Sequence, residues 1–299
     1  MQRLLSALRQ AKISHREHEP LKYHTSFKIG GPIAVLIAPC SESELLTVLD
    51  ILANEGQVPL ILGNGSNILA ADAPIQRVGI KTEGLAQIQQ VSEHRIYAEC
   101  GMLLSRAAVF AKERSLSGME FAHGIPGTLG GAVYMNAGAY DGDMGQIVSK
   151  VRYVDEALRV VEISGQEADF SYRHSCFSGA NHIILGAEMT LMPKEITEIS
   201  ETMRTLAEKR RNSQPLDLPS AGSTFKRPKE GYAAALIDQC GLKGYAVGGA
   251  EVSTKHAGFV VNRGGASCDD VRRLMAHIQE TVLRETGISL EPEVKFVSS

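Results

Sequence analysis

Apolar positions recur with two different periods along the chain, and the change between them predicts a mixture of helices and strands. Residues 45–52 carry leucine, valine and isoleucine at helical spacing. Ser41 to Glu44 precede them and predict a capping box, while Gly56 follows and fits a helix C-terminus. We predict further helices at residues 1–9, 103–115, 194–211, 230–240 and 267–287. Short apolar runs predict strands at 32–38, 58–62, 78–80, 96–99, 151–154, 160–163, 183–192, 247–251, 258–262 and 288–297.

Two turns rich in glycine stand out between these elements. The first is Gly63, Asn64, Gly65, Ser66 and Asn67. The second contains Gly124, Ile125, Pro126, Gly127, Thr128, Gly130, Gly131 and Ala132. Such turns can present several backbone N–H groups to a pyrophosphate, and Pro126 could be the first residue of a short helix facing that anion. Ile68 stands where a G-x-G-x-x-G fingerprint needs its third glycine, so two purely structural loops remain an alternative.

Composition narrows the function classes. The chain has 299 residues, 43% of them hydrophobic, and a net charge of −3, which gives no electrostatic reason to bind nucleic acid or an anionic membrane. No apolar run approaches the ~20 residues of a spanning helix. The five cysteines are scattered and no histidine or cysteine spacing is typical of a metal site, so we expect no metal and reduced thiols in a cytoplasmic protein.

Four later segments place polar groups beside apolar ones, and the alternative for each side chain is an ordinary surface or structural role. Arg173 lies between aromatic residues and could hold a carboxylate. Lys226 and Arg227 could neutralise a phosphate, and His256 is a candidate for hydrogen bonding or acid–base chemistry. Alternation along the last strand predicts that Glu293 shares a face with Lys295, opposite Val294 and Phe296.

Seven motifs occur in an order that resembles the UDP-N-acetylenolpyruvoylglucosamine reductase family. They are YHTSFKIGGP, GNGSN, GIPGTLGGAVYMNAGAY, FSYRHSCF, SAGSTFKRP, VSTKHAGFVVN and LEPEVKF. The chain looks like the shorter type, which lacks an inserted tyrosine-bearing loop. The resemblance implies an α+β fold, with an FAD-binding domain of the vanillyl-alcohol-oxidase kind in two subdomains and a smaller C-terminal α+β substrate domain.

The implied organisation has four parts. They are an N-terminal extension at 1–20, the FAD-binding domain at 21–193 with subdomains at about 21–90 and 91–193, a helix and linker at 194–216, and the substrate domain at 217–299. The partners implied are small molecules, namely NADPH and UDP-N-acetylenolpyruvoylglucosamine, with no nucleic acid and no membrane, and we expect a monomer. The first turn offers no histidine to which the flavin could be attached covalently, so FAD is expected to be bound non-covalently.

The resemblance also implies a ping-pong reaction that yields UDP-N-acetylmuramate. NADPH reduces the flavin, and the reduced flavin then passes hydride to the enolpyruvyl group. By similarity, Arg173 stabilises the resulting enolate, Glu293 assists it in protonated form, and Ser223 donates the proton. Tyr172 would shape the pyruvyl pocket, and Lys226, Arg227 and His256 would contact substrate or NADPH, although longer-type members have asparagine where Arg227 stands. Another FAD oxidoreductase of the same fold, acting on a small alcohol, and a non-enzymatic nucleotide-binding module remain alternatives.

Overall fold

The chain divides into two compact units, each assembled from separate stretches of sequence. A computed structural model describes all residues from Met1 to Ser299. The first unit comprises Met1–Arg16, Val35–Asn64 and Val78–Lys209; the second comprises Glu17–Ala34, Gly65–Arg77 and Arg210–Ser299. Each unit has its own cluster of buried apolar side chains, so each can bury apolar surface independently.

The elements confirm the expected α+β class. The helices are α1 (Gln2–Gln10), α2 (Glu42–Asn54), α3 (Leu104–Lys112), α4 (Leu129–Tyr134), α5 (Ile196–Ser213), α6 (Ala233–Gln239) and α7 (Cys268–Thr286). The strands are β1 (His15–Pro20), β2 (Pro32–Ile37), β3 (Leu60–Leu62), β4 (Ile68–Ala70), β5 (Ile75–Lys81), β6 (Ile88–Ser92), β7 (Arg95–Glu99), β8 (Leu116–Ser117), β9 (Gly138–Ala139), β10 (Gly142–Asp143), β11 (Val148–Val154), β12 (Val160–Ser164), β13 (Ile183–Thr190), β14 (Met192–Pro193), β15 (Ala246–Val247), β16 (Ala250–Val252), β17 (Val260–Asn262) and β18 (Lys295–Val297). No helix combines the length and the apolar character needed to cross a membrane.

The first unit contains a five-stranded sheet of order β12-β11-β13-β7-β6, in which every neighbouring pair is antiparallel. The central strand β13 is buried over most of its length, which explains its nearly continuous apolar sequence. Strands β3 and β5 are parallel neighbours in a four-stranded sheet of order β1-β2-β5-β3, and Leu62 lies opposite Lys81. This pairing places the end of β5 beside the start of the first glycine-rich turn.

The second unit contains the three-stranded antiparallel sheet β15-β16-β17 and the parallel pair β18-β4. Helix α7, predicted at 267–287, begins with a capping box, in which the Ser267 hydroxyl accepts from the Asp270 N–H and the Asp270 carboxylate accepts from the Ser267 N–H. It ends at Gly287, whose left-handed φ of 73° suits glycine. Both ends of α7 are therefore where local chemistry predicts them.

Three local predictions need correction. At α2 the Ser41 hydroxyl accepts from the Glu44 N–H as expected, but the Glu44 carboxylate accepts from the N–H of Cys40, so the reciprocal half of the box is absent. Val58 is 60% exposed and precedes β3, which starts at Leu60. The final strand covers only Lys295–Val297, because it extends only as far as its partner β4.

Candidate functional site

The first glycine-rich turn starts where β3 ends, above a buried lysine. Lys81 is only 5% exposed, and its ammonium donates to the carbonyl oxygen of Gly63 over 2.6 Å. The hydroxyl of Thr82 donates to the neighbouring carbonyl of Leu62 at 3.3 Å. Burial lowers the pKa of Lys81, and the nearby Glu83 carboxylate opposes that shift. The turn is thus held by two side chains at the end of β5, those of Lys81 and Thr82.

The second glycine-rich turn lies directly against the start of the first. The side-chain amide of Asn64 donates to the carbonyl of Pro126 at 2.6 Å. A Cβ atom added to Gly63 would lie 2.3 Å from the hydroxyl oxygen of Thr128, which is far inside van der Waals contact. Glycine at 63 therefore permits a close approach of the two turns.

Backbone hydrogen bonds hold the second turn to the segment before α3. The N–H groups of Leu129 and Gly130 donate to the carbonyls of Met102 and Cys100, both over 2.8 Å. The predicted position of Pro126 at the start of a helix is wrong. Helix α4 begins at Leu129 after an extended Thr128, whose backbone forms a bridge with Leu103 instead of a helical turn.

The residues of the paired turns fit a phosphate-bearing group such as FAD. The Thr128 hydroxyl oxygen is buried and has no hydrogen-bond partner within the protein, so it is available to a ligand. Gly131 is exposed on α4, and outside the helix backbone the nearest atom to a Cβ placed there is the Thr128 hydroxyl oxygen, 3.8 Å away. A hydroxyl, backbone N–H groups and space at Gly131 are what close binding of a pyrophosphate requires.

The remaining residues of the first turn belong to the second unit and have contacts of their own. Gly65 has a φ of 63°, and a Cβ there would lie 2.0 Å from the carbonyl oxygen of His24. Asn67 donates from its side-chain amide to the carbonyl of Glu293 and accepts from the N–H of Lys295. Gly65 and Asn67 are therefore required by local packing, whereas Ser66 is half-buried in the same segment.

Arg173 lies in the first unit, in a tight turn closed by a bridge between Ser171 and His174. Its φ of 56° is left-handed, which is uncommon for a long side chain and indicates a backbone fixed by its surroundings. The guanidinium lies 5.1 Å from the ring centre of Tyr172, a side chain that is itself exposed. Arg173 is half-buried.

This arginine turn is anchored to helix α4 and thereby to the second glycine-rich turn. Buried Asn136 donates to the carbonyl of Ser171 at 3.0 Å and accepts from the N–H of Gly145 at 2.8 Å. The Ser175 hydroxyl donates to the carbonyl of Tyr134, the last residue of α4, at 2.6 Å. The structure therefore links the Arg173 turn to the predicted cofactor-binding segment within one unit.

Ser223 lies in the second unit, in a segment that crosses two others. It is half-buried and follows Gly222, whose φ is 76°. The next residue, Thr224, donates its N–H to the carbonyl of Gly258 and accepts from the N–H of Glu293, at 2.8 and 2.9 Å. The backbone around Ser223 is therefore fixed between the segments that carry His256 and Glu293.

Three further candidates surround this crossing. His256 is half-buried; its Nδ1 accepts from the N–H of Gly258, so neutral His256 carries its proton on Nε2. Burial lowers the pKa of His256, and the nearby Lys243 lowers it further, against an opposing backbone hydrogen bond. Lys226 forms an ion pair with Glu291, and Arg227 is exposed with its guanidinium 4.1 Å from the ring centre of Tyr232.

Glu293 does not share a face with Lys295. Glu293 is 9% exposed and Val294 is also buried, whereas Lys295 and Phe296 are exposed. The prediction from alternation is wrong because β18 starts only at Lys295, so residues 293 and 294 precede the regular strand. The carboxyl group of Glu293 is therefore buried, beside the segment that carries Ser223.

Sequence reasoning missed Lys81 and Asn136. Each had a detectable signal: Lys81 is a charged residue at the end of the apolar run Val78-Gly79-Ile80, and Asn136 is a polar residue between apolar ones in the second glycine-rich segment. Both side chains hydrogen-bond to backbone carbonyls of turns distant in sequence. Such contacts are specified by the fold, so the chain alone did not single these residues out.

Comparisons with known proteins agree with this arrangement. A family model described as "FAD binding domain" matches residues 33–164, and one described as "UDP-N-acetylenolpyruvoylglucosamine reductase, C-terminal domain" matches residues 214–297. The UDP-N-acetylenolpyruvoylglucosamine reductase of Caldanaerobacter subterraneus is 46% identical over 280 residues, covering 94% of this chain and 92% of the relative. The protein of that name from Clostridioides difficile is 44% identical over 279 residues, with coverage of 93% and 92%.

Solved structures give the same result. The crystal structure of UDP-N-acetylenolpyruvylglucosamine reductase from Thermus caldophilus matches with a TM-score of 0.81 and 30% identity, over 95% of this chain and 98% of that one. A variant of berberine bridge enzyme matches with a TM-score of 0.50 and 15% identity, over 64% of this chain and 43% of that one, which shows a shared fold alone. The chain belongs to the UDP-N-acetylenolpyruvoylglucosamine reductase family of FAD-dependent oxidoreductases.

Proposed function

We propose that the protein uses NADPH to reduce UDP-N-acetylenolpyruvoylglucosamine to UDP-N-acetylmuramate, in a ping-pong reaction of peptidoglycan precursor synthesis. The observation that carries the proposal is the near full-length similarity to reductases of that name, at 41–46% identity for the relatives compared. We propose residues 217–299 as the substrate domain. The five cysteines are all free thiols, which supports a reducing cytoplasmic compartment.

Non-covalently bound FAD would carry the hydride from NADPH to the enolpyruvyl substrate. For this chain we propose that the pyrophosphate of FAD lies against the paired turns. The Thr128 hydroxyl and the backbone N–H groups of Gly127, Thr128 and Gly131 would bind its oxygens, since the N–H groups of Leu129, Gly130 and Ala132 already donate to backbone carbonyls. The buried hydroxyl without a protein partner supports this assignment, since burial of an unsatisfied hydroxyl costs about 1–3 kcal/mol.

Arg173 and Glu293 would stabilise the negative charge that develops on the substrate. Hydride transfer to the terminal enolpyruvyl carbon leaves an enolate conjugated with the carboxylate. A guanidinium can donate two parallel hydrogen bonds to such a group, and the fixed, left-handed backbone of Arg173 supports a role that needs one orientation. Glu293, which is 9% exposed, would donate a hydrogen bond in its protonated form.

Ser223 would give the proton to the carbon next to the carboxylate, which completes the reduction. A hydroxyl is a weak acid, but an enolate carbon is a strong base, so position decides which group donates. The segment of Ser223 is held on both sides through Thr224, by Gly258 and by Glu293. A fixed backbone supports this positional requirement.

Separate measurement of the two half-reactions tests the proposal. We expect Ser223→Ala to bind FAD and to be reduced by NADPH at close to the parent rate. Its reoxidation by the enolpyruvyl substrate should slow by roughly 10²–10⁴, as expected when a positioned proton donor is lost. Ser223→Cys should recover part of this rate, because a thiol can also donate. Stopped-flow absorbance of the flavin follows both steps.

Ser220→Ala is the matched control, because it removes a hydroxyl from the same segment. It should reoxidise at the parent rate. Slow reoxidation in Ser220→Ala with normal reoxidation in Ser223→Ala would assign the proton to Ser220. Equal slowing of both half-reactions in Ser223→Ala would show a general disturbance of the site. Failure of the parent protein to be reoxidised by the enolpyruvyl substrate would refute the proposed reaction.

A further inference from the structure

Lys81 is a buried cation that forms no ion pair. Its ammonium makes one hydrogen bond, to the uncharged carbonyl of Gly63, and no ion pair. The side chain is 5% exposed, so water cannot fully solvate the charge. A buried charge that is not paired is costly for a folded protein, and an apolar side chain would serve β5 better. The nearby Glu83 carboxylate raises the pKa of Lys81, but burial lowers this pKa by more, so the contacts of the first unit offset the cost of the buried charge only in part.

The geometry of the hydrogen bond points to a reason for this cost. A trans peptide directs its C=O and N–H to opposite sides. Because Lys81 holds the carbonyl of Gly63 on the buried side, the N–H of Asn64 must point away from Lys81. Asn64 is exposed, and its side chain is already bonded to Pro126 of the second turn. The lysine thus fixes the orientation of one peptide in the turn and places a positive charge beneath it.

We propose that Lys81 is a positioning residue for FAD: its buried charge is balanced by the pyrophosphate, and its hydrogen bond to Gly63 orients the Asn64 N–H for binding. This inference rests on the proposed placement of the pyrophosphate between the two turns. It also explains why Thr128, which contacts Gly63 in space, has a buried hydroxyl without a hydrogen-bond partner in the protein. Both groups lie next to Gly63, so one anion bound at this residue would interact with both.

The test measures FAD affinity and the stability of FAD-free protein in the same variants. FAD is removed, the dissociation constant is determined by flavin fluorescence on titration, and thermal melting is recorded without FAD. We expect Lys81→Met to raise the FAD dissociation constant at least about tenfold, the cost of one lost charge-assisted interaction. The melting temperature without FAD should stay the same or rise, because the uncompensated charge is gone.

Two further variants separate charge from structure. Lys81→Gln keeps an N–H donor for Gly63 without the charge, and it should weaken FAD binding to a similar extent. Lys150→Met, which removes an exposed lysine from the same unit, should change neither quantity. Parent-like FAD affinity in Lys81→Met would overturn the proposal. A melting temperature that falls together with the affinity would also overturn it, because it would make Lys81 an ordinary structural clamp. Parent-like affinity in Lys81→Gln would refute the role of the charge.

Thr128→Val distinguishes this proposal from the placement on which it rests. Valine preserves the shape of threonine but removes the hydroxyl assigned to the pyrophosphate. Weak FAD binding in Thr128→Val with parent-like binding in Lys81→Met would overturn the role of Lys81 alone. Parent-like binding in both would show that the pyrophosphate lies elsewhere. Neither result depends on the enolpyruvyl substrate, so the proposed reaction is tested independently.

Discussion

Replacing Gly131 by alanine is expected to stabilise the FAD-free protein and to weaken FAD binding at once. Gly131 is exposed within α4, and a Cβ there would come no closer than 3.8 Å to any atom outside its immediate neighbours. The protein itself therefore gives no steric reason for glycine at this position. Glycine in an exposed helix costs up to about 1 kcal/mol relative to alanine, so a ligand that needs the space is the expected reason for it.

The magnitudes follow from the position. Gly131 lies in the first turn of a short helix, where the gain from alanine should be about 0.5–1 kcal/mol. For a protein of this size that gain corresponds to a rise of roughly 1–4 °C in the melting temperature of the FAD-free form. Displacement of the pyrophosphate by a methyl group should cost at least one charge-assisted hydrogen bond, about 1.5–3 kcal/mol, or roughly 10- to 100-fold in affinity.

Gly130→Ala is the matched control, one residue away in the same helix. A Cβ at Gly130 would lie 2.9 Å from the Cβ of Cys100 and 3.2 Å from its carbonyl oxygen, so this variant should lower the melting temperature without FAD. Thermal melts and FAD titrations of both variants provide the comparison. Parent-like FAD affinity in Gly131→Ala would refute the reasoning. A lower melting temperature of FAD-free Gly131→Ala would show that the folded protein itself requires glycine at this position.

Three further predictions concern the cofactor, catalysis and pH. Heat or acid should release the flavin as FAD into the supernatant; flavin that remains with the precipitate would contradict non-covalent binding. Arg173→Lys and Glu293→Gln should keep FAD but lower steady-state turnover by roughly 10²–10³, as loss of one preset charge-stabilising group does; parent-like turnover would make either residue an ordinary structural group. Burial lowers the pKa of folded His256, so below the usual value of 6.5 the unfolded chain binds a proton that the folded protein does not. The stability contributed by neutral His256 is therefore present above that pH and is lost as the pH falls. The melting temperature of His256→Gln should depend less on pH than that of the parent protein between about pH 7 and 5. An equal pH dependence of the two melting temperatures would contradict this assignment.

The sequence by itself determined the features that depend on neighbouring residues. Ser267, Asp270 and Gly287 define both ends of α7, because caps satisfy backbone groups within one turn of the helix. Strands β11 and β12 followed from two short apolar runs at 151–154 and 160–163, and these strands pair as antiparallel neighbours. The order of seven motifs identified the family, and the two glycine-rich turns indicated the cofactor domain before any contact was known.

Only the tertiary structure decided how the candidate residues are used. Gly63 and Gly65 look equivalent in the sequence, yet the former approaches Thr128 and the latter the carbonyl of His24. Glu293 is buried because the regular strand begins two residues later, and strand length is limited by the partner β4. Lys81 can lie in the otherwise apolar strand β5 because its ammonium reaches the carbonyl of Gly63, at the end of the parallel neighbour β3. These outcomes arise from contacts between residues far apart in the chain, which local patterns of polarity do not encode.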